Sequence, residues 1–176
     1  HWPNDFRVRS GLARAYQALN QWQPVHQILA DLTHIDPENP RLLQRLAHAA
    51  HQLGLADNQL AVQAAYYVLT GEDAPTNSPN WLAAARTAWQ AQGDLTAGAE
   101  ALDGLTLTDL PTPLPGLALV YSHWQAGDYF SAWPLAQALQ RRWPDTITLM
   151  LCQAQAHFAS GQHGLAVSWL HEASAL

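Results

Sequence analysis

Between residues 113 and 146 the apolar positions run at helical spacing. Leu114, Leu117, Ala118 and Tyr121 recur, then Trp124, before Gly127-Asp128 interrupts the pattern. Apolar residues at i, i+3, i+4 and i+7 mark a helix that buries one face. This segment is apolar nearly all round, which predicts neighbours on more than one side. Asp128 is placed to cap a second helix carrying Ala132, Ala136 and Leu139, with Pro134 expected in its first turns. Trp143-Pro144-Asp145 then resets the chain, with Asp145 or Thr146 as the expected cap of the next helix. The plan returns at residues 147–176 through Met150, Ala154, His157, Gly161, Ala166, Leu170 and Ala173. It also fits residues 6–37 through Leu12, Ala13, Tyr16, Asn20, Trp22, Leu29, Leu32 and Pro37. Each return predicts two antiparallel helices of about 12 to 14 residues joined by a tight turn.

The turns give the period. Gly54, Gly93, Gly127 and Gly161, preceded by Asn20, are separated by 34, 39, 34 and 34 residues. Asn is the common substitute for Gly where a turn needs a left-handed residue. Trp2-Pro3 and Trp143-Pro144 lie 141 residues apart, in one phase of this period, and Pro37 lies 34 after Pro3. In this phase proline falls where one helix pair ends and the next begins. Trp2-Pro3 then reads as the tail of a preceding unit, so the expectation is a piece of a longer array. The 39-residue step carries five extra residues, assigned to "GLADNQ" and to a loop over residues 70–80; "TLTDLPTPLP", Thr106 to Pro115, predicts a second, extended crossing.

The 34-residue helix–turn–helix unit resembles the tetratricopeptide repeat. Leu12, Ala13, Tyr16 and Pro37 match that family's pattern in the first unit, and Leu43, Leu46, Ala47 and Gly54 in the second. Leu82, Trp89 and Gly93 match in the third, Gly127, Tyr129, Ala132 and Pro144 in the fourth, and Ala154, Gly161, Ala166 and Ala173 in the fifth. Val25 and Gly98 stand where the family has Ala, and His123 and His157 in an aromatic slot. The resemblance implies an all-α, right-handed α-solenoid of five helix pairs, with approximate units 4–37, 38–75, 78–111, 112–145 and 146–176. It also implies a concave face lined by the first helix of each pair, where the family binds peptide segments or helices.

Composition narrows the chemistry. The chain has 176 residues, 48% of them hydrophobic and 12% charged, and a formal net charge of −6. That is the profile of a chain with a core. All eight basic residues other than histidine are Arg, too few for a broad nucleic-acid surface. Cys152 is the single cysteine, which excludes an internal disulfide and a cysteine zinc site and fits cytoplasm or periplasm alike. No apolar run is long enough to span a membrane. There is no P-loop, GxGxxG, GxSxG or HExxH, and no cofactor, metal or catalytic residue is expected. Among the nine histidines, His48 and His51 are three apart on one predicted helix and could share a metal with a third ligand, but no carboxylate accompanies them on that face. His123 and His157, one period apart, are expected in the interior, bonded to neighbouring backbone groups.

Mapping the family's groove positions by the period places Arg7 and Arg14 in unit one, and Arg41, Gln44, Arg45, His48 and His51 in unit two. Unit three contributes Asn80, Thr87 and Gln90, unit four Leu117, Tyr121 and Trp124, and unit five Leu151, Gln155 and Phe158. The expected partner-binding residues are Arg14, Arg41, Arg45, His48, His51, Tyr121, Trp124 and Phe158. They describe a groove basic at one end and aromatic at the other, suited to a protein or peptide segment with an acidic and an apolar part. The expected function is a non-catalytic interaction scaffold, by fold-level analogy within a bacterial assembly or export machine. The alternatives are a regulatory or substrate-presenting arm of an enzyme, or a structural spacer. Self-association through exposed repeat ends is a further expectation.

Overall fold

The computed structural model describes residues 5–72 and 80–176, with the side chain of Asn80 left aside. Trp2 and Pro3, most of the loop expected over residues 70–80, and the side chain of Asn80 therefore lie outside the described residues. Among the described residues the chain forms ten α-helices and no strand. They follow in pairs: α1 (Phe6–Ala18) with α2 (Trp22–Ile35), α3 (Pro40–Gln52) with α4 (Ala56–Thr70), α5 (Asn80–Gln90) with α6 (Leu95–Ala101), α7 (Leu114–Gln125) with α8 (Tyr129–Gln140), and α9 (Ile147–Ala159) with α10 (His163–Ala175). Each helix packs mainly on its chain neighbours. Among the described residues no helix is long and apolar enough to cross a membrane.

The turn inside each pair has one physical cause. Asn20, Gly54, Gly93, Gly127 and Gly161 all sit at positive φ, between 56° and 94°. A side chain with a Cβ costs about 1–2 kcal/mol there, and Asn tolerates it best. Four helix starts, those of α1, α3, α6 and α8, are set by side chains accepting free backbone N–H groups. Asp5 accepts from Arg7 and Val8, Asn39 from Arg41 and Leu42, Asp94 from Ala97, and Asp128 from Ser131.

The core continues from pair to pair. Leu29, Leu32 and Val25 of α2 pack with Leu42, Leu46 and Ala49 of α3. A larger cluster joins Leu43, Val68, Leu82, Leu114, Leu117, Leu139 and Leu149, so it draws on α3, α4, α5, α7, α8 and α9. α7 is buried nearly all round, as its pattern predicts. Gly116 permits this: a Cβ there would lie 2.6 Å from Cδ1 of Leu139 on α8.

Several expectations change. The third pair departs from 12 to 14 residues, with 11 in α5 and 7 in α6. The crossing from Thr106 to Pro115 is not extended throughout: Leu107–Asp109 form a single 3₁₀ turn, and Pro115 already lies in the first turn of α7. Pro134 lies in the second turn of α8, within its first turns as expected. It has no N–H for the carbonyl of Phe130, and both residues are exposed, so that carbonyl can take water. Neither Asp145 nor Thr146 caps α9. Thr146 is the N-cap residue by position, but its hydroxyl donates to the carbonyl of His34, 112 residues away, at 2.9 Å. His123 and His157 are bonded to side chains rather than backbone: Nδ1 of His123 meets Oδ2 of Asp128 at 3.2 Å, and Nδ1 of His157 meets Oε1 of Gln162 at 2.7 Å. The two acceptors are themselves one period apart, so each imidazole ties a first helix to the start of the second.

Candidate functional site

Two arginine-bearing stripes meet at the start of the chain. On α1, Arg7, Ser10 and Arg14 recur at i, i+3 and i+7, and on α3 so do Arg41, Gln44 and His48, with Arg45 beside them. The stripes approach closely enough that an Nη of Arg45 reaches Oγ of Ser10 at 3.5 Å. The Arg45 guanidinium is partly buried, and its other terminal nitrogen, Nη2, is buried with no hydrogen-bond partner among the described residues. Its pKa is lowered, first by that burial and then by the charge of Arg14. A cation is therefore held beside a second cation, with one donor unused.

Among the described residues, the surroundings supply no ion-pairing anion to these stripes. Among the described residues, Arg9 pairs with Asp31, whereas Arg7, Arg14, Arg41 and Arg45 make no ion pair. The carboxylates that precede α1 and α3 in the chain are engaged elsewhere. Asp5 caps α1, and Glu38 accepts from the hydroxyls of Tyr121, at 2.8 and 2.9 Å, and Thr148, at 2.6 Å. A carboxylate or phosphate brought by another molecule would find an arginine fork suited to it.

Next to this face lies a cleft of about 350 Å³ between α3 and α4, lined by Gln44, His48, His51, Gln59, Gln63, Tyr66 and Tyr67. His48 packs edge-on against Trp22 of α2, with ring centroids 5.1 Å apart. His51 contacts Oε1 of Gln59 at 3.4 Å. Imidazoles, amides and phenols offer both donors and acceptors here. Among the described residues no group of three or more His, Cys, Asp or Glu is arranged to hold a metal.

The aromatic end differs from the groove drawn from the sequence. Leu117, mapped to the lining, is fully buried in the core. Tyr121 is half-buried between Trp89 and Trp124, with its hydroxyl committed to Glu38. Its pKa is raised by burial, and next by the charge of Glu38. Trp124 stacks on Tyr121 at 6.3 Å, whereas the ring contact of Phe158 is with His163 of α10, at 5.0 Å. The structure thus gathers Arg14 and Arg45 with Arg41 and His48 on adjoining stripes, and Tyr121 with Trp124 behind Glu38. Phe158 belongs to the α9–α10 edge. Cys152 is buried and its thiol is pushed up to about 11, so little nucleophilic thiolate forms near neutrality.

No protein-family model matches the chain, and no curated protein matches it in sequence. Any reading of this site rests on its geometry.

Proposed function

We propose that this chain is a tetratricopeptide-like α-solenoid acting as a non-catalytic scaffold, and that it holds an acidic segment of a partner protein on the basic face of α1 and α3. The observation that carries this reading is Arg45: half-buried, next to Arg14, with Nη2 unpartnered. Folding leaves that donor unused at a cost of about 1–3 kcal/mol, and a carboxylate bound on the accessible side of the guanidinium would offset the repulsion between Arg45 and Arg14. The adjoining His48–Tyr67 cleft gives the segment polar and aromatic contacts beyond the arginines. The solenoid reading is supported by five helix pairs in succession, with left-handed turn residues at steps of 34, 39, 34 and 34.

Selection of phage-displayed random peptides tests the proposal. On the wild-type protein, bound peptides should be enriched in Asp and Glu, and binding should weaken with salt. On the Arg14→Ala/Arg45→Ala variant that enrichment should disappear while helicity by circular dichroism stays unchanged. Equal enrichment on both proteins, or none on either, refutes the acidic-segment reading.

A further inference from the structure

A cavity of about 150 Å³ lies where the first two helix pairs meet the turn between α8 and α9. Ala30 of α2, Leu43 and Leu46 of α3, and Ala61 and Ala65 of α4 form its apolar walls, and Trp143 joins them from the α8–α9 turn. The crossing before α7 adds Pro111, Thr112 and Pro113. The joint is pinned: the Thr146 hydroxyl donates to the carbonyl of His34, fastening the α8–α9 turn to the end of α2. The Trp143 indole is held as well, since the Arg142 guanidinium lies 5.0 Å from its ring centroid and is bonded to the carbonyl of Thr108. Leu43, Leu46, Ala65 and Trp143 are buried, whereas His34 and Pro111 of the same lining are exposed, so the cavity opens to solvent beside them.

The walls restrict what can enter. Among the described lining residues there is no Asp, Glu, Lys or Arg. A charged ligand would lose hydration there and gain no ion pair. An apolar cavity of about 150 Å³ is large enough to hold benzene, and the Trp143 indole offers an aromatic partner to such a ring. Two hydroxyls complete the lining. That of Thr33 is committed to the carbonyl of Leu29, at 2.7 Å. That of Thr112 accepts from the N–H of Leu114 at 3.4 Å, and its own proton has no acceptor among the described residues, although Thr112 is only 6% exposed. Buried hydroxyls are normally bonded, so the lining holds one donor suited to a ligand oxygen.

We propose that this cavity binds a small uncharged aromatic molecule carrying one oxygen acceptor, of the phenol class, with its ring among Leu43, Leu46, Ala65 and Trp143 and its oxygen on Thr112. The volume admits a single ring and no peptide backbone, so the occupant is a free small molecule rather than a tyrosine of a partner protein. The site uses none of the arginines and does not depend on the acidic-segment reading.

Titration calorimetry on this chain at neutral pH tests it, with phenol, benzene, benzoate and N-acetyltyrosine amide as probes. Phenol should bind about fivefold more tightly than benzene, the worth of one ordinary hydrogen bond. N-acetyltyrosine amide should bind more weakly than phenol, and benzoate should not bind. Thr112→Val should bring phenol down to the affinity of benzene and leave benzene unchanged, whereas Thr112→Ser should keep the preference. Ala61→Phe, and Ala30→Leu from another wall, should each abolish binding of both rings. Both positions are half-buried, and circular dichroism should report unchanged helicity. Absence of phenol binding overturns the proposal. So does equal affinity for phenol and benzene, binding of benzoate or N-acetyltyrosine amide as tight as that of phenol, or a folded Ala61→Phe or Ala30→Leu variant that binds like the wild type.

Discussion

Arg45→Met should make the protein more stable while removing its proposed ligand contact. The substitution keeps an unbranched apolar stem against α1 and deletes a guanidinium whose Nη2 is buried without a partner. A buried unsatisfied donor costs about 1–3 kcal/mol. The low end applies, because the group is only partly buried and its other terminal nitrogen reaches Ser10. Relief of the Arg14–Arg45 repulsion acts in the same direction. The expected gain is about 1 kcal/mol, read as a rise of roughly 0.5 M in the urea midpoint for a slope of about 2 kcal/mol/M. Arg141→Met is the control, an exposed arginine with no side-chain hydrogen bond among the described residues, and should stay within about 0.5 kcal/mol of wild type. A loss of stability in Arg45→Met would mean that the native fold uses the guanidinium. The argument from an unused donor would then fail, and the acidic-segment reading with it.

Three further outcomes follow from the geometry. Tyr121→Phe removes the hydroxyl that donates to Glu38 and should cost about 1.5 kcal/mol, or roughly 3–6 °C in Tm. Its effect should also depend on pH. A phenol whose folded pKa is raised contributes stability below the unfolded value of about 10, and that contribution is lost as pH rises toward the folded value. Denaturant midpoints taken from neutral to alkaline pH should therefore fall more steeply in the wild type than in Tyr121→Phe. Gly116→Ala places a Cβ 2.6 Å from the fully buried Leu139 and should cost about 1–3 kcal/mol through overpacking, with the third and fourth helix pairs losing hydrogen-exchange protection first. Cys152 should react with a disulfide reagent far more slowly in the native protein than in urea, and a native rate equal to that of free cysteine would show that the thiol is not buried.

Much of the architecture was legible because the decisive residues answer to local rules. A left-handed turn admits Gly or Asn, so Asn20, Gly54, Gly93, Gly127 and Gly161 mark the five hairpins directly. Asp128 caps where its spacing predicts, since an Asx side chain reaches backbone only two or three residues on. Two of the misses involve distant partners. Thr146 has the spacing of a cap, but tertiary packing turns its hydroxyl toward His34 instead. Glu38 is an ordinary acidic residue in an inter-helix turn; nothing near it in the chain points to Tyr121 or Thr148, which lie 83 and 110 residues ahead. The site was legible in the same measure. Helical spacing put Arg41, Arg45 and His48 on neighbouring stripes of α3, whereas the Ser10 contact and the unused Nη2 of Arg45 depend on how α1 sits against α3. The cleft wall formed by Tyr66 and Tyr67 was missed because α4 carries no marked apolar stripe from which to assign its faces.

The Glu38 contacts also bear on how the chain folds. A row of helix pairs that touch only their neighbours can assemble from any point and fray from either end, because each contact closes a short loop. Here the turn before α3 is fastened to α7 and to the start of α9, closing loops of 83 and 110 residues. Loop closure grows dearer only slowly with length, by about 0.6 kcal/mol per doubling, but such a contact forms only after the intervening pairs are in place. The clasp is therefore a late event in folding and an early one in unfolding. While it holds, the amides at the start of α3 and the start of α9 should exchange with solvent in one cooperative opening, although more than a hundred residues separate them.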